Sequence, residues 1–201
     1  MEKPAETQNP IHELLARRWS PRAFSDRAVE PGKLRSILEA ARWAPSSYNE
    51  QPWSFIVATK DNRAEYERLL GGLVEFNQSW AKAAPVLIVS VASLNFARNG
   101  KTNRHALHDV GLASENFVIQ ATALGLFAHG MAGIEVEKIR AAYGIPDTHV
   151  PVAGWALGYA GDPVSLGEEL QKRELEPRTR KPLADFVFGE KWGAAATVLN
   201  A

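Results

Sequence analysis

Pro85-Val86-Leu87-Ile88-Val89-Ser90-Val91 is a continuous apolar run opened by a proline. Its length and β-branched residues favour a buried strand. Upstream, Trp53–Thr59 (WSFIVAT) is rich in aromatic and β-branched residues and reads as a second strand. Downstream, His105–Leu124 carries apolar or small residues on most faces, among them Leu107, Val110, Leu112, Phe117, Val118 and Ala121. A helix apolar nearly all round is a central one, or one buried in a subunit interface. Helices and strands mix along the chain without strict βαβ alternation, which favours α+β over a doubly wound sheet.

Working outward, the remaining periodic segments are separated by turn signals. Asn9-Pro10 has the form of an N-cap followed by proline at the first helical position. Ile11, Leu14, Leu15 and Trp19 repeat at helical spacing, so a helix is expected there, stopping before Pro21. A second is expected from Pro31, with Leu34, Ile37, Leu38 and Ala41 buried, ended by Pro45. Asp61 is placed to cap a polar helix through Leu70, which Gly71-Gly72 breaks. Leu94–Arg104 reads as a polar, mobile loop. A short strand near Leu126–Ala128, a helix over Glu135–Tyr143 with Gly144 at C′, and a strand of small residues over Pro151–Tyr159 complete the body. Residues 162–201 are polar and then apolar again at Phe186, Val187, Phe188 and Trp192. A polar stretch of roughly twenty residues before an apolar cluster has the form of an arm that reaches a distant surface, in a dimer the partner's.

Composition narrows the classes. The 201 residues suit one domain, or at most two small ones, and 45% apolar with 23% charged residues is enough to bury a core. Lys plus Arg equals Asp plus Glu, 23 each, so no global charge draws the chain to nucleic acid or an anionic membrane. The absence of cysteine excludes disulfides, thiolate metal sites and a cysteine nucleophile, and it fits a cytoplasmic address. The polar N-terminus lacks the apolar core of a signal peptide. The most apolar short segment, Ala84–Leu94, falls far short of the roughly 20 residues that span a bilayer.

Two clusters carry chemistry. In Arg17-Arg18-Trp19-Ser20-Pro21-Arg22, two arginines four apart flank a serine at an expected helix end. Guanidinium forks suit phosphate and planar acceptors, and the hydroxyl adds a neutral donor. A solvated, cationic helix end is the plainer alternative. In Ala44-Pro45-Ser46-Ser47-Tyr48-Asn49-Glu50-Gln51-Pro52-Trp53, prolines stiffen a loop rich in donors and acceptors at a strand start. It can line a pocket, or be a turn whose side chains satisfy themselves.

Together the two clusters resemble the nitroreductase family of flavoenzymes, whose pattern is R-x-S-x-R followed about twenty residues later by A-P-S-S-x-N-x-Q-P-W. Asn77-Gln78-Ser79-Trp80 before Ala84-Pro85, Ala132-Gly133-Ile134, and Arg178-Thr179-Arg180-Lys181-Pro182-Leu183 are similar to further family segments in the same order. The resemblance implies one domain over 1–201. Its fold is an α+β sandwich with a central, mostly antiparallel sheet flanked by helices. It implies a homodimer with FMN at the interface and a C-terminal arm, 162–201, swapped onto the partner. Arg18 and Ser20 would bind the FMN phosphate or ribityl chain. Arg22 would face the N1/O2 edge of the ring, and Asn77 a polar ring edge. Ala132 and Gly133 would offer backbone N–H groups near N5 and O4, and Arg178 and Arg180 would close on the phosphate. Pro45, Ser46, Ser47 and Asn49 would come from the other subunit. Three arginines suit a phosphate carrying close to two negative charges. A fixed cation at Arg22, if it favours the reduced ring by about 1.5–3 kcal/mol, raises the two-electron potential by roughly 30–65 mV.

The implied reaction is ping-pong hydride transfer. NADH or NADPH binds transiently and reduces the flavin, and a small electron-poor acceptor such as a nitroaromatic or quinone is then reduced. The cofactor carries the chemistry, so no side chain is assigned as catalytic acid, base or nucleophile. Reductive dehalogenation, flavin modification and non-enzymatic flavin binding are the alternatives on the same fold. Two positions depart from the family pattern: Trp19 stands where a second arginine is common, and Trp80 where some members have lysine. Trp80 either packs beside the flavin or fills core. Gly100-Lys101-Thr102 lacks the earlier glycine of a P-loop. His105, His108 and Asp109 lack a further strong metal ligand nearby, so no metal is expected. Gly125, Gly130 and Gly133 do not form a Rossmann fingerprint.

Overall fold

Val86–Ser93 forms strand β2 beside Trp53–Thr59 (β1) in a four-stranded sheet whose other members are Phe127–Met131 (β3) and His149–Gly158 (β4). The strand order is β1-β2-β4-β3 and all three pairings are antiparallel. The α+β arrangement expected from the sequence is thus present in the computed structural model, which describes residues 2–200. Met1 and Ala201, the ends of the expected 1–201 domain, lie outside the described residues.

The apolar run of β2 is continuous because both its faces are covered. Val86 and Ile88 pack with Ile37, Phe117, Ala121 and Leu157 on one side. Leu87, Val89 and Val91 pack with Leu69, Leu73, Trp80 and Ile139 on the other. Each such fully buried aliphatic side chain contributes about 1.5–3 kcal/mol. The first face is roofed by α2 (Pro31–Arg42) and α5 (Ala106–Ala123), the second by α3 (Arg63–Leu70), α4 (Glu75–Ala81) and α6 (Val136–Tyr143). Phe117 of α5 meets Phe55 and Trp155 edge-on, with centroids 5.9 and 4.8 Å away. Helix α5 is therefore the central helix its composition called for. Gly144 ends α6 in the left-handed region at φ 61°, as its C′ assignment requires.

The β2–β4 register slips between Ser90↔Ala153 and Val91↔Pro151, a bulge that leaves Val152 unpaired. Pro151 has no N–H to give. It is tolerated because β3 pairs only with residues 154–158, so that end of β4 is an edge.

Three local readings are corrected. The first helix (α1) spans only Glu13–Arg17, and His12 caps it by accepting from Leu14 N–H. Ile11 and Leu15, expected as its buried stripe, are exposed. The cap of α3 is Asn62, which accepts from Glu65 N–H, not Asp61. Residues 162–201, read as an arm, carry a helix not expected there, α7 (Glu168–Leu175), whose one buried residue is Glu174. A helix with no apolar stripe gives no periodic signal in the sequence. No described helix is long and apolar enough to cross a membrane.

Candidate functional site

After α1 the chain runs extended through Arg18–Arg22. Trp19 turns inward, 5% exposed and edge-on to Phe127 at 5.9 Å. Arg18 and Ser20 consequently share the opposite side, with Arg18 Nη1 donating to Ser20 Oγ at 3.4 Å. They line a cavity of about 280 Å³ together with Arg22, Arg178 and Arg180. A neighbouring cavity of about 470 Å³ shares Arg18, Arg178 and Arg180 and adds the apolar Ile11, Leu15 and Phe186. Among the described residues none of these four arginines forms a salt bridge. Arg178 donates to the carbonyls of Lys3 and Ala16, both at 2.7 Å. Burial, and then the charges of Arg18 and Arg180, hold its pKa below the usual guanidinium value. Glu174 and Glu176 line the smaller cavity too, yet none of the four arginines pairs with them among the described residues, and the surplus positive charge makes a place that an anion stabilises.

Beside this cluster lies a second group. The Arg22 guanidinium carbon sits 5.9 Å from the Trp80 ring centroid, and the Trp80 ring packs at 4.6 Å against His129 of β3, the two planes tilted by 49°. Trp80 is 3% exposed and belongs to the core. Arg22 Nε and Trp80 Nε1 are buried and have no hydrogen-bond partner. Two neighbouring orphan donors are what a ligand rich in acceptor atoms would satisfy. One turn before Trp80, Asn77 Nδ2 donates to Gly133 O at 2.9 Å. A Cβ on Gly133 would fall 2.6 Å from that amide nitrogen and 2.8 Å from Val74 Cγ2, so a larger residue would have to push the Asn77 amide off its place. Asn77 thus braces the Ala132–Gly133 turn. The backbone N–H groups of Ala132 and Gly133 have no acceptor among the described residues.

The Pro45–Asn49 loop lies apart from the arginine cavities, neither of which it lines. It is held from below: Asp109, buried in the first turn of α5, accepts Ser47 N–H at 2.9 Å. Tyr48, Asn49 and Gln51 all have φ between 53° and 56°. Left-handed backbone at non-glycine residues costs about 1–2 kcal/mol each, and such strain gathers at functional loops. The 94–104 loop is stitched to this one. Glu50 accepts Ala97 N–H, Tyr48 meets Phe96 edge-on at 6.1 Å, and Arg98 lies 4.4 Å over the Tyr48 ring.

The structure therefore assembles Arg18, Ser20, Arg22, Arg178 and Arg180 in one place, sets Asn77 and Gly133 against each other beside it, and leaves Pro45, Ser46, Ser47 and Asn49 elsewhere on the same chain. Comparison with known proteins gives the family. A model of the nitroreductase family matches residues 15–159. The chain belongs to the nitroreductase family. Among its relatives, an uncharacterised 15.4 kDa protein of Mycolicibacterium smegmatis is 39% identical over 124 residues, 62% of this chain and 82% of that one. The oxygen-insensitive NADPH nitroreductase of Helicobacter pylori is 30% identical over 183 residues, 85% of this chain and 84% of that one. A crystal structure described as an oxidoreductase containing FMN superposes with TM-score 0.89 at 36% identity, covering 94% of this chain and 96% of that one. The nitroreductase fold thus extends well beyond the matched segment into α7.

Sequence reasoning missed three residues that support the site: His129, Glu174 and Asp109 as a loop anchor. Asp109 was visible only as a possible metal ligand beside His108. The described residues contain no group of three or more His, Asp or Glu side chains that could hold a metal ion. His129 and Glu174 are single polar residues in segments with no motif, and only the tertiary fold gives them partners.

Proposed function

We propose that this chain is an FMN-dependent oxidoreductase that uses NADH or NADPH to reduce small electron-poor molecules such as nitroaromatics or quinones. It would work as a homodimer with FMN at the interface. The observation that carries the reading is the arginine-rich cavity, in which no arginine of the four is salt-bridged among the described residues, beside the buried, unpartnered Arg22 Nε. When bound, FMN supplies the redox chemistry, taking hydride at N5 from the nicotinamide and giving two electrons to the acceptor. The chain's own residues bind and orient. Arg18, Arg178 and Arg180, with the Ser20 hydroxyl, hold the phosphate, whose charge offsets their mutual repulsion. Arg22 would place a fixed cation at the N1/O2 edge of the ring, and Asn77 would stand by a polar edge. The backbone N–H groups of Ala132 and Gly133 would be offered to N5 and O4. The pre-formed Pro45–Asn49 loop, with Ser46 and Ser47, is offered to the partner's flavin. Residues beyond the docked helix α7 form the arm to the partner.

An anaerobic absorbance titration of the purified protein tests the reading. Flavin absorbance near about 450 nm that bleaches on adding NADH or NADPH, and returns with a quinone, is the expected result. A colourless protein that refuses added FMN sinks it.

A further inference from the structure

The peptide that joins Pro21 to Arg22 is gripped at both ends by side chains from elsewhere in the chain. Its carbonyl oxygen lies 3.0 Å from His129 Nδ1. A carbonyl only accepts, so the imidazole carries its proton on Nδ1 and donates it. Its N–H lies 2.8 and 3.0 Å from the two carboxylate oxygens of Glu174, and the next N–H, of Ala23, adds a bond of 3.1 Å. His129 comes from the edge strand β3 and Glu174 from the last turn of α7, so two distant elements converge on one peptide.

The investment is unusual for a mere turn. Glu174 is 2% exposed and forms no salt bridge among the described residues; its carboxylate accepts from the backbone N–H groups of Arg22 and Ala23 in the wall of the arginine cavity, which offset its burial. A carboxylate at the N–H end polarises the peptide and strengthens its carbonyl as an acceptor, so the two grips reinforce each other. The same imidazole also packs, tilted, against Trp80, over which the Arg22 guanidinium lies. One ring therefore touches both the backbone of residue 21 and the aromatic seat of the Arg22 side chain.

We propose that His129 and Glu174 are positioning residues that clamp the 21–22 peptide and thereby fix the Arg22 guanidinium against the cofactor ring. This rests on the FMN reading above. The clamp, through Arg22, sets the redox balance of bound FMN, which a purely structural role would leave alone.

The test compares the midpoint potential of bound FMN and its Kd in wild type, His129→Phe, His129→Asn and Glu174→Gln, with folding followed by circular dichroism and thermal melting. His129→Phe keeps a ring against Trp80 but removes the donor. Glu174→Gln replaces one of the two accepting oxygens by an amide nitrogen that cannot accept and removes the charge. Both are expected to lower the reduced-to-oxidised ratio about tenfold at fixed potential, a shift of roughly 30 mV, and to weaken FMN several-fold. His129→Asn, whose amide nitrogen can stand where Nδ1 stood, is expected to keep the wild-type potential. Folded His129→Phe and Glu174→Gln proteins with wild-type potentials overturn the clamp. If both fail to fold, His129→Asn against His129→Gln decides. These differ mainly in where the amide sits, and equal potentials in the two overturn it. A wild type that binds no FMN overturns the cofactor reading and the clamp together, whereas FMN bound with unmoved potentials overturns the clamp alone.

Discussion

At the scale of single residues, His129 makes the site sensitive to acid. Burial first, and the Arg22 charge second, push its pKa down to about 4. A group whose folded pKa is depressed supplies stability that is present above the unfolded value, near 6.5, and is lost as pH falls toward the folded value. The shift corresponds to roughly 2 kcal/mol after discounting for the partial exposure of the ring. Stability by denaturant titration is thus expected to fall between about pH 6.5 and 4 and to lose most of that slope in His129→Asn. A slope unchanged by the substitution would refute this. Glu30 and Glu39, held at about 2 by hydrogen bonds from Tyr159 and Arg42 respectively, act from 4.5 downward and so meet the His129 window only at its acid end. Arg18, Ser20, Arg22, Asn77 and Gly133 were legible as sequence because guanidinium, hydroxyl and glycine chemistry repeats in a recognisable order. His129 and Glu174 were not: they reach the Pro21–Arg22 peptide across 108 and 152 residues of chain, and no local spacing encodes such a meeting.

At the scale of elements, β2 was readable because burial on both faces leaves an unbroken apolar run, and α5 because a central helix needs apolar residues all round. Helix α1 misled because Ile11 and Leu15 have helical spacing but no surface within this chain to cover. Helix α7 was silent because its only buried residue is a carboxylate. The Pro45–Asn49 loop depends on both kinds of information. Its prolines were evident, yet its shape is held by Asp109, which accepts Ser47 N–H from the first turn of α5. Three left-handed residues in one short loop stay there only if something outside the loop restrains them. Asp109→Ala leaves that N–H unpaired and is expected to cost about 2 kcal/mol, with weaker FMN binding, while Asp109→Asn, which keeps an acceptor, retains most of both. Thermal melts and flavin titrations of the pair check this. An Asp109→Ala protein as stable as wild type would mean that the loop holds itself.

At the scale of the whole molecule, the tail divides in two. Up to Arg178 it is docked on its own body: Glu174 grips the Arg22 turn, Lys3 Nζ donates to the carbonyls of Glu174 and Glu176, and Arg178 reaches the carbonyls of Lys3 and Ala16. Beyond Lys181 it carries apolar side chains that this chain does not cover, with Phe186 57%, Trp192 91% and Val198 71% exposed. Ile11 and Leu15 of the first helical segment are exposed beside the same arginine cavity that Phe186 lines. Large aromatic residues left in water on a terminal segment are best explained by a second surface that receives them, and a symmetric dimer offers each tail an identical one. The docked and undocked halves can then be separated experimentally. A chain ending at Pro182 keeps Glu174, Arg178 and Arg180, so its phosphate-holding groups and the turn around Arg22 are intact. If the undocked half is the arm, sedimentation of this shortened chain shows a shift toward monomer, and FMN is lost with the dimer because the Pro45–Asn49 loop of the partner no longer reaches it. If the shortened chain remains dimeric and binds FMN as the full chain does, the tail is not what joins the subunits, and the exposed faces of α1 and of the Tyr48 loop become the surfaces to which the interface must be traced.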